Sequence, residues 1–144
     1  RRQLWGVIEG FTRGGGTVVL TTHYMEEAER LCDRVAVMDH GRVIALGTPR
    51  ELIASLGADH VVEFSLADGA APMSDEALAM LPGVESARRD GPRYTLTVTE
   101  PHRALPALMA ELERRGSELT GLLTHHATLE DLFLSLTGRH LRDA

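Results

Sequence analysis

Residues 17–32 read TVVLTTHYMEEAERLC, and this stretch decides the fold class. Val18, Val19 and Leu20 form a continuously apolar, β-branched centre, the pattern expected of a strand buried on both faces of a parallel sheet. Thr22, His23 and Tyr24 follow it directly. From Met25 onward the spacing becomes helical, with Met25, Ala28, Leu31 and Cys32 expected inward and Glu26, Glu27 and Glu29 outward. A polar cluster between a buried strand and a helix lies at the strand's carboxyl end, where open α/β sheets bind ligands.

Working outward toward the amino end, Leu4, Val7, Ile8 and Phe11 recur at helical spacing and Gly14, Gly15 and Gly16 stop the helix. Helix, glycines and buried strand in that order are the signature of an α/β unit. Toward the carboxyl end, Arg34–Met38 reads as a strand. The turn Asp39-His40-Gly41-Arg42 leads to Val43–Leu46, making a hairpin. That turn sets an acid, an imidazole and a cation side by side, yet a solvated hairpin turn explains it better than a site. Thr48-Pro49-Arg50-Glu51 then predicts a helix start, with Thr48 as N-cap, Pro49 at the first position and Glu51 closing a capping box.

Past Leu56-Gly57 the pattern changes to short elements divided by turn residues, which places a domain boundary around Gly57–Asp59. The domains expected are therefore 1–57 and 58–144. In the second, strand His60–Ser65, helix Ser74–Leu81, strand Val84–Arg89, strand Arg93–Val98, helix His102–Arg115 and strand Glu118–Thr124 succeed one another. This βαββαβ order suggests a small α+β, ferredoxin-like domain. The stripe Leu105, Leu108, Met109 and Leu112, stopped by Gly116, is the firmest of these elements. A final helix, capped by Thr128 with Asp131 three residues on, carries Leu129, Leu132, Phe133 and Leu136 on its apolar face.

Composition narrows the function classes. All 15 basic residues among the 144 are arginine, yet 21 acidic residues leave a net charge of −6, which argues against a nucleic-acid or anionic-membrane footprint. No apolar run approaches the roughly 20 residues of a membrane span. The single cysteine, Cys32, excludes an intrachain disulfide and reads as a small core residue. The chain opens Arg1-Arg2-Gln3-Leu4, with neither an initiator methionine nor a signal-peptide pattern, and reads as starting inside a longer protein. His125 and His126 are adjacent, with His102 and His140 elsewhere, but neighbours on a strand face opposite ways and no pair has zinc-motif spacing. No metal site is expected.

The run TVVLTTHYMEEAERLCDRVAVMDHGRVIALGTP, residues 17–49, resembles the nucleotide-binding domains of ABC transporters, in particular the drug-resistance exporters of daunorubicin type. The likeness covers about the first 57 residues. The closing ATLEDLFLSLTGR, Ala127–Arg139, is similar to the last helix of exporter ATPase subunits that carry a small accessory domain. The resemblance implies the C-terminal part of a P-loop NTPase (RecA-like) domain followed by that accessory domain. By position it makes His23 the switch histidine of the H-loop, a catalytic and ATP γ-phosphate-contacting residue. An imidazole at a strand's carboxyl end can donate to a terminal phosphate and orient the attacking water. The same resemblance implies ATP and Mg as cofactors of the parent protein, a membrane permease and a second copy of the subunit as partners, and a cytoplasmic position at the inner face of the membrane.

The phosphate-gripping machinery has no counterpart here. There is no GxxxxGK[ST] loop, and a chain without lysine cannot contain one. The Q-loop, the LSGGQ-like signature and the Walker B strand with its glutamate are likewise without a match, and on the resemblance they lie upstream of Arg1. Two other readings stay open: a stand-alone regulatory module in which the ferredoxin-like part senses a small molecule, and a pure dimerisation domain, neither with ATPase activity. A phosphate loop holds its anion through successive backbone N–H groups at a helix N-terminus, which His23 alone cannot replace. The isolated chain is therefore expected neither to bind MgATP tightly nor to hydrolyse it, and a calorimetric titration yielding micromolar affinity would overturn this.

Overall fold

The computed structural model describes residues 2–138. The calls resting on Arg1, Arg139 and His140 lie outside the described residues. The elements in chain order are α1 (Arg2–Arg13), α2 (Met25–Leu31), β1 (Val35–Asp39), β2 (Arg42–Gly47), α3 (Pro49–Ala54), β3 (His60–Leu66), α4 (Asp75–Ala79), β4 (Val84–Asp90), β5 (Arg93–Val98), α5 (Pro101–Arg115), β6 (Leu119–His126) and α6 (Leu129–Thr137). The fold is mixed α/β with antiparallel sheets. Two compact units result, one of residues up to 53 together with the segment from 128 onward, the other of 54–127.

The first unit contains the β1–β2 hairpin, whose turn has His40 at φ 49° and Gly41 at φ 73°. Two successive positive φ values match the right-handed twist of the flanking strands, which is why a His-Gly pair serves at this turn. The predicted capping box of α3 is present: Glu51 N–H donates to Thr48 Oγ1 and Thr48 N–H to the Glu51 carboxylate, both at 3.1 Å. Hydrogen bonds to its carboxylate from the Thr48 hydroxyl and the Thr48 backbone N–H hold the Glu51 carboxyl below its ordinary pKa.

Two expectations for this unit are corrected. Thr17–Thr21 forms no strand. A run of this composition becomes a strand only with hydrogen-bonded neighbours on its edges, and among the described residues none pairs with it; Val19 is 92% exposed. The terminal helix α6, expected with the second domain, clusters with the first unit. Its buried residues Leu129, Leu132, Phe133 and Leu134 give it an inward face, and α6 contacts α2.

In the second unit β3–α4–β4–β5–α5–β6 builds one four-stranded sheet, order β4-β5-β3-β6, with every neighbouring pair antiparallel. Alternation along the strands puts Val62, Phe64, Tyr94, Leu96 and Val98 on one face, packed with Leu78 of α4 and Ala104, Leu108 and Leu112 of α5. Phe64 and Tyr94 stack at 4.9 Å, and the Tyr94 hydroxyl accepts from the Met73 N–H at 3.1 Å. The stripe of α5 is rotated slightly from expectation: Ala104 is buried with Leu108 and Leu112, and Met109 is exposed. Gly116 ends the helix at φ 68°.

Gly83 lies hard against neighbouring backbone. Its φ is 77°, and a Cβ there would lie 2.7 Å from the Glu100 carbonyl oxygen. Its own carbonyl accepts from the Thr99 N–H at 2.9 Å, so neither strand can retreat. Gly83→Ala is expected to destabilise the second unit by at least the roughly 1–3 kcal/mol of left-handed strain in a residue with a side chain, read as a lowered urea midpoint.

Candidate functional site

The site is built from three pieces of the first unit: α1, the segment Thr17–Tyr24 and α2. Thr22 Oγ1 accepts a hydrogen bond from the Tyr24 N–H at 2.9 Å, closing a tight side-chain turn with His23 at its apex. Thr22 then donates its hydroxyl proton to Glu27 Oε1 at 2.7 Å. The second carboxylate oxygen, Oε2, accepts from the Trp5 indole N–H at 3.0 Å. Arg30 lies 5.0 Å over the Trp5 ring and 3.7 Å from Glu9. The residues flanking His23 are thus pinned while the imidazole itself is exposed, its ring 4.3 Å from that of Tyr24 at a tilt of 32°.

Glu27 is the residue that sequence reasoning misplaced. It was expected to face solvent, yet it is 9% exposed. A buried carboxylate is costly unless donors surround it, and here Trp5 and Thr22 provide them. Helical geometry contained the signal: Glu27 is one turn from Leu31 and adjacent to Ala28, both on the inward face. Glu29, also expected outward, is half-buried and accepts from the Leu129 N–H at 2.8 Å, a negative charge at the start of α6 where the helix dipole favours it. Glu26 is exposed as expected.

The opening helix shows the complementary difference. Its apolar residues Leu4, Val7 and Phe11 are exposed, and Trp5 is buried instead. Trp5 carries one of the two donors that Glu27 takes, and its hydrogen bond fixes that side of α1 toward α2. Beside this helix a groove of about 660 Å³ opens between Thr17–Thr22 and β1, lined by Val18, Leu20, Val35, Val37 and Phe133. Cys32 also lines it; burial and the neighbouring Asp33 carboxylate raise its thiol pKa, which suits an inert packing residue.

His23 suits a single hydrogen-bond donor toward an anion. Gly14–Gly16 follow the end of α1 and do not open a helix. The other described histidines lie on β3, β6, α5 and the β1–β2 turn. His125 bonds the Glu63 carboxylate at 3.1 Å and the His126 carbonyl at 2.8 Å, and His102 lies 3.8 Å from Glu100. His60 and His126, opposite each other on β3 and β6, have rings 4.9 Å apart, a pairing not visible in the sequence. Among the described residues no group of three or more His, Cys, Asp or Glu could hold a metal ion, and no helix is long and apolar enough to cross a membrane.

Comparison with known proteins finds relatives that match nearly the whole chain. No family model matches the chain. It is 37% identical over 99% of its length to the daunorubicin/doxorubicin resistance ATP-binding protein DrrA of Streptomyces peucetius, and 40% identical over 99% to the Nod factor export ATP-binding protein I of Cupriavidus metallidurans. It is also 32% identical over 99% to the linearmycin resistance ATP-binding protein LnrL of Bacillus subtilis. The chain spans 43%, 44% and 46% of these relatives respectively.

Trp5 is the single tryptophan, so its fluorescence reports this site directly. Glu27→Ala strands two buried donors at about 1–3 kcal/mol each and is expected to shift the Trp5 emission to the red and lower the stability of the first unit; Glu27→Gln, which keeps one acceptor, should do so less. Unchanged emission in Glu27→Ala would overturn the network. Over nearly its whole length, the run from Thr17 to Pro49 included, the chain is similar to the ATP-binding proteins of drug-resistance and export systems.

Proposed function

We propose that this chain is the switch-histidine part of the ATP-hydrolysing subunit of an ABC exporter of drugs or related compounds. The observation that carries the reading is His23, held exposed at the apex of a turn whose two flanking residues are fixed by Thr22 and, through it, by buried Glu27. An imidazole so presented can donate to the terminal phosphate of a nucleotide and orient the attacking water, while its backbone needs no rearrangement to do so. ATP and Mg²⁺ belong to the parent subunit, whose phosphate loop and catalytic carboxylate come from outside this chain.

In this reading the exposed side of α1, the uncovered Val19 and the groove beside β1 are surfaces that the rest of the nucleotide-binding domain covers. The subunit works from the cytoplasmic side with a membrane permease and a second copy of itself. Residues 2–53 with α6 form the ABC part, and 54–127 the accessory domain. The βαββαβ order and the strand order β4-β5-β3-β6 support a ferredoxin-like fold for that domain, with a regulatory or interaction role.

The test uses the full-length subunit. His23→Ala is expected to lower ATP turnover by about 10²-fold or more, the scale of a positioned proton-handling group, while MgATP binding persists because the grip lies elsewhere. Turnover at the wild-type rate would overturn the assignment.

A further inference from the structure

The two edges of the four-stranded sheet are guarded unequally. At one edge β4 carries Glu85, Arg88, Arg89 and Asp90, and charged side chains on an edge discourage pairing with another chain. At the other edge β6, Leu119–His126, carries no Asp, Glu, Arg or Pro over eight residues, longer than the usual strand. Its central Leu122 and Leu123 are 44% and 57% exposed, one on each face of the sheet. Among the described residues β6 pairs with β3 alone.

We propose that β6 is a self-pairing edge, and that its occupant is β6 of a second copy of this chain, joined antiparallel across a two-fold axis into one eight-stranded sheet. The strand is complementary to itself. A two-fold axis normal to the sheet preserves its faces, so partners must share parity along the strand. An axis at Leu122 sets Leu122 against its own copy and Thr120 against Thr124 twice, with Leu119 facing His125 and Gly121 facing Leu123. Apolar and threonine pairs of this kind favour antiparallel pairing, and no like charges meet across the join. The opposite edge is charged: pairing β4 with itself about Ala87 would set Arg88 against Ser86, Arg89 against Glu85 and Asp90 against Val84, placing two charged residues of each strand opposite apolar or small ones.

This contact does not depend on nucleotide, which separates it from dimerisation driven by ATP in the intact subunit. Multi-angle light scattering on the full chain without nucleotide is expected to show a concentration-dependent dimer. Leu122→Lys, which opposes two cations across the axis, should raise its dissociation constant at least tenfold with circular dichroism and melting unchanged. Paired residues lie about 4.5–5.5 Å apart between Cα atoms, within disulfide reach. Leu122→Cys in a Cys32→Ser background should therefore oxidise to a covalent dimer. A monomer at all concentrations, a dimer that forms only with MgATP and ignores Leu122→Lys, or a folded Leu122→Cys chain that does not cross-link would each overturn the proposal.

Discussion

The buried Glu27 carboxylate is the constraint on which the first unit is organised. A carboxylate out of water demands donors of fixed geometry, and the two it takes come from different parts of the chain, the indole of Trp5 on α1 and the hydroxyl of Thr22 beside His23. One side chain of α2 therefore sets the rotation of α1 and the shape of the turn at the candidate site. The apolar residues of α1 would, by hydrophobicity alone, have turned inward. Trp5 turns inward to meet Glu27, while Leu4, Val7 and Phe11 stay exposed on the other side of the helix.

A second carboxylate of the same helix works along the same lines. Glu29 receives the first free N–H of α6, at Leu129, while Thr128 and Asp131 satisfy each other in a complete capping box. Helix α6 thus starts against α2 with its orphan donors met by side chains, which is why it joins the first unit although seventy-odd residues of another unit precede it. The second unit has no such polar keystone. Its core is the apolar sheet face under α4 and α5, with the Tyr94 hydroxyl as a single wet point turned to Met73.

Local chemistry was legible wherever it was self-contained. The caps at Thr48 and Thr128, the turn at His40-Gly41 and the stop at Gly116 depend on residues within four positions of one another, and the sequence shows them; the cap at Ser74 is equally local but was not expected. The βαββαβ succession followed from periodicity for the same reason. What periodicity could not supply was any long-range choice. Glu27 looked like one more solvated acid because its partner Trp5 is 22 positions away, and α6 looked like an appendage of its sequence neighbours. The Val18-Val19-Leu20 run has the composition of a strand, but a strand is made by the edges beside it. His23 was located from its motif, and the structure adds what holds its backbone.

The second unit enters and leaves through paired positions. His60 stands opposite His126 in register, and the Ala127 N–H donates to the Asp59 carbonyl at 2.9 Å, so residues far apart in the chain are fastened together where the insert begins and ends. Closing a loop costs entropy that grows with its length. An insert whose own fold clasps its two ends presents the surrounding chain with a connection only a few residues long. Once 54–127 is folded, docking α6 against α2 closes a connection of only a few residues, so the insert adds little to the entropy of joining the two helices.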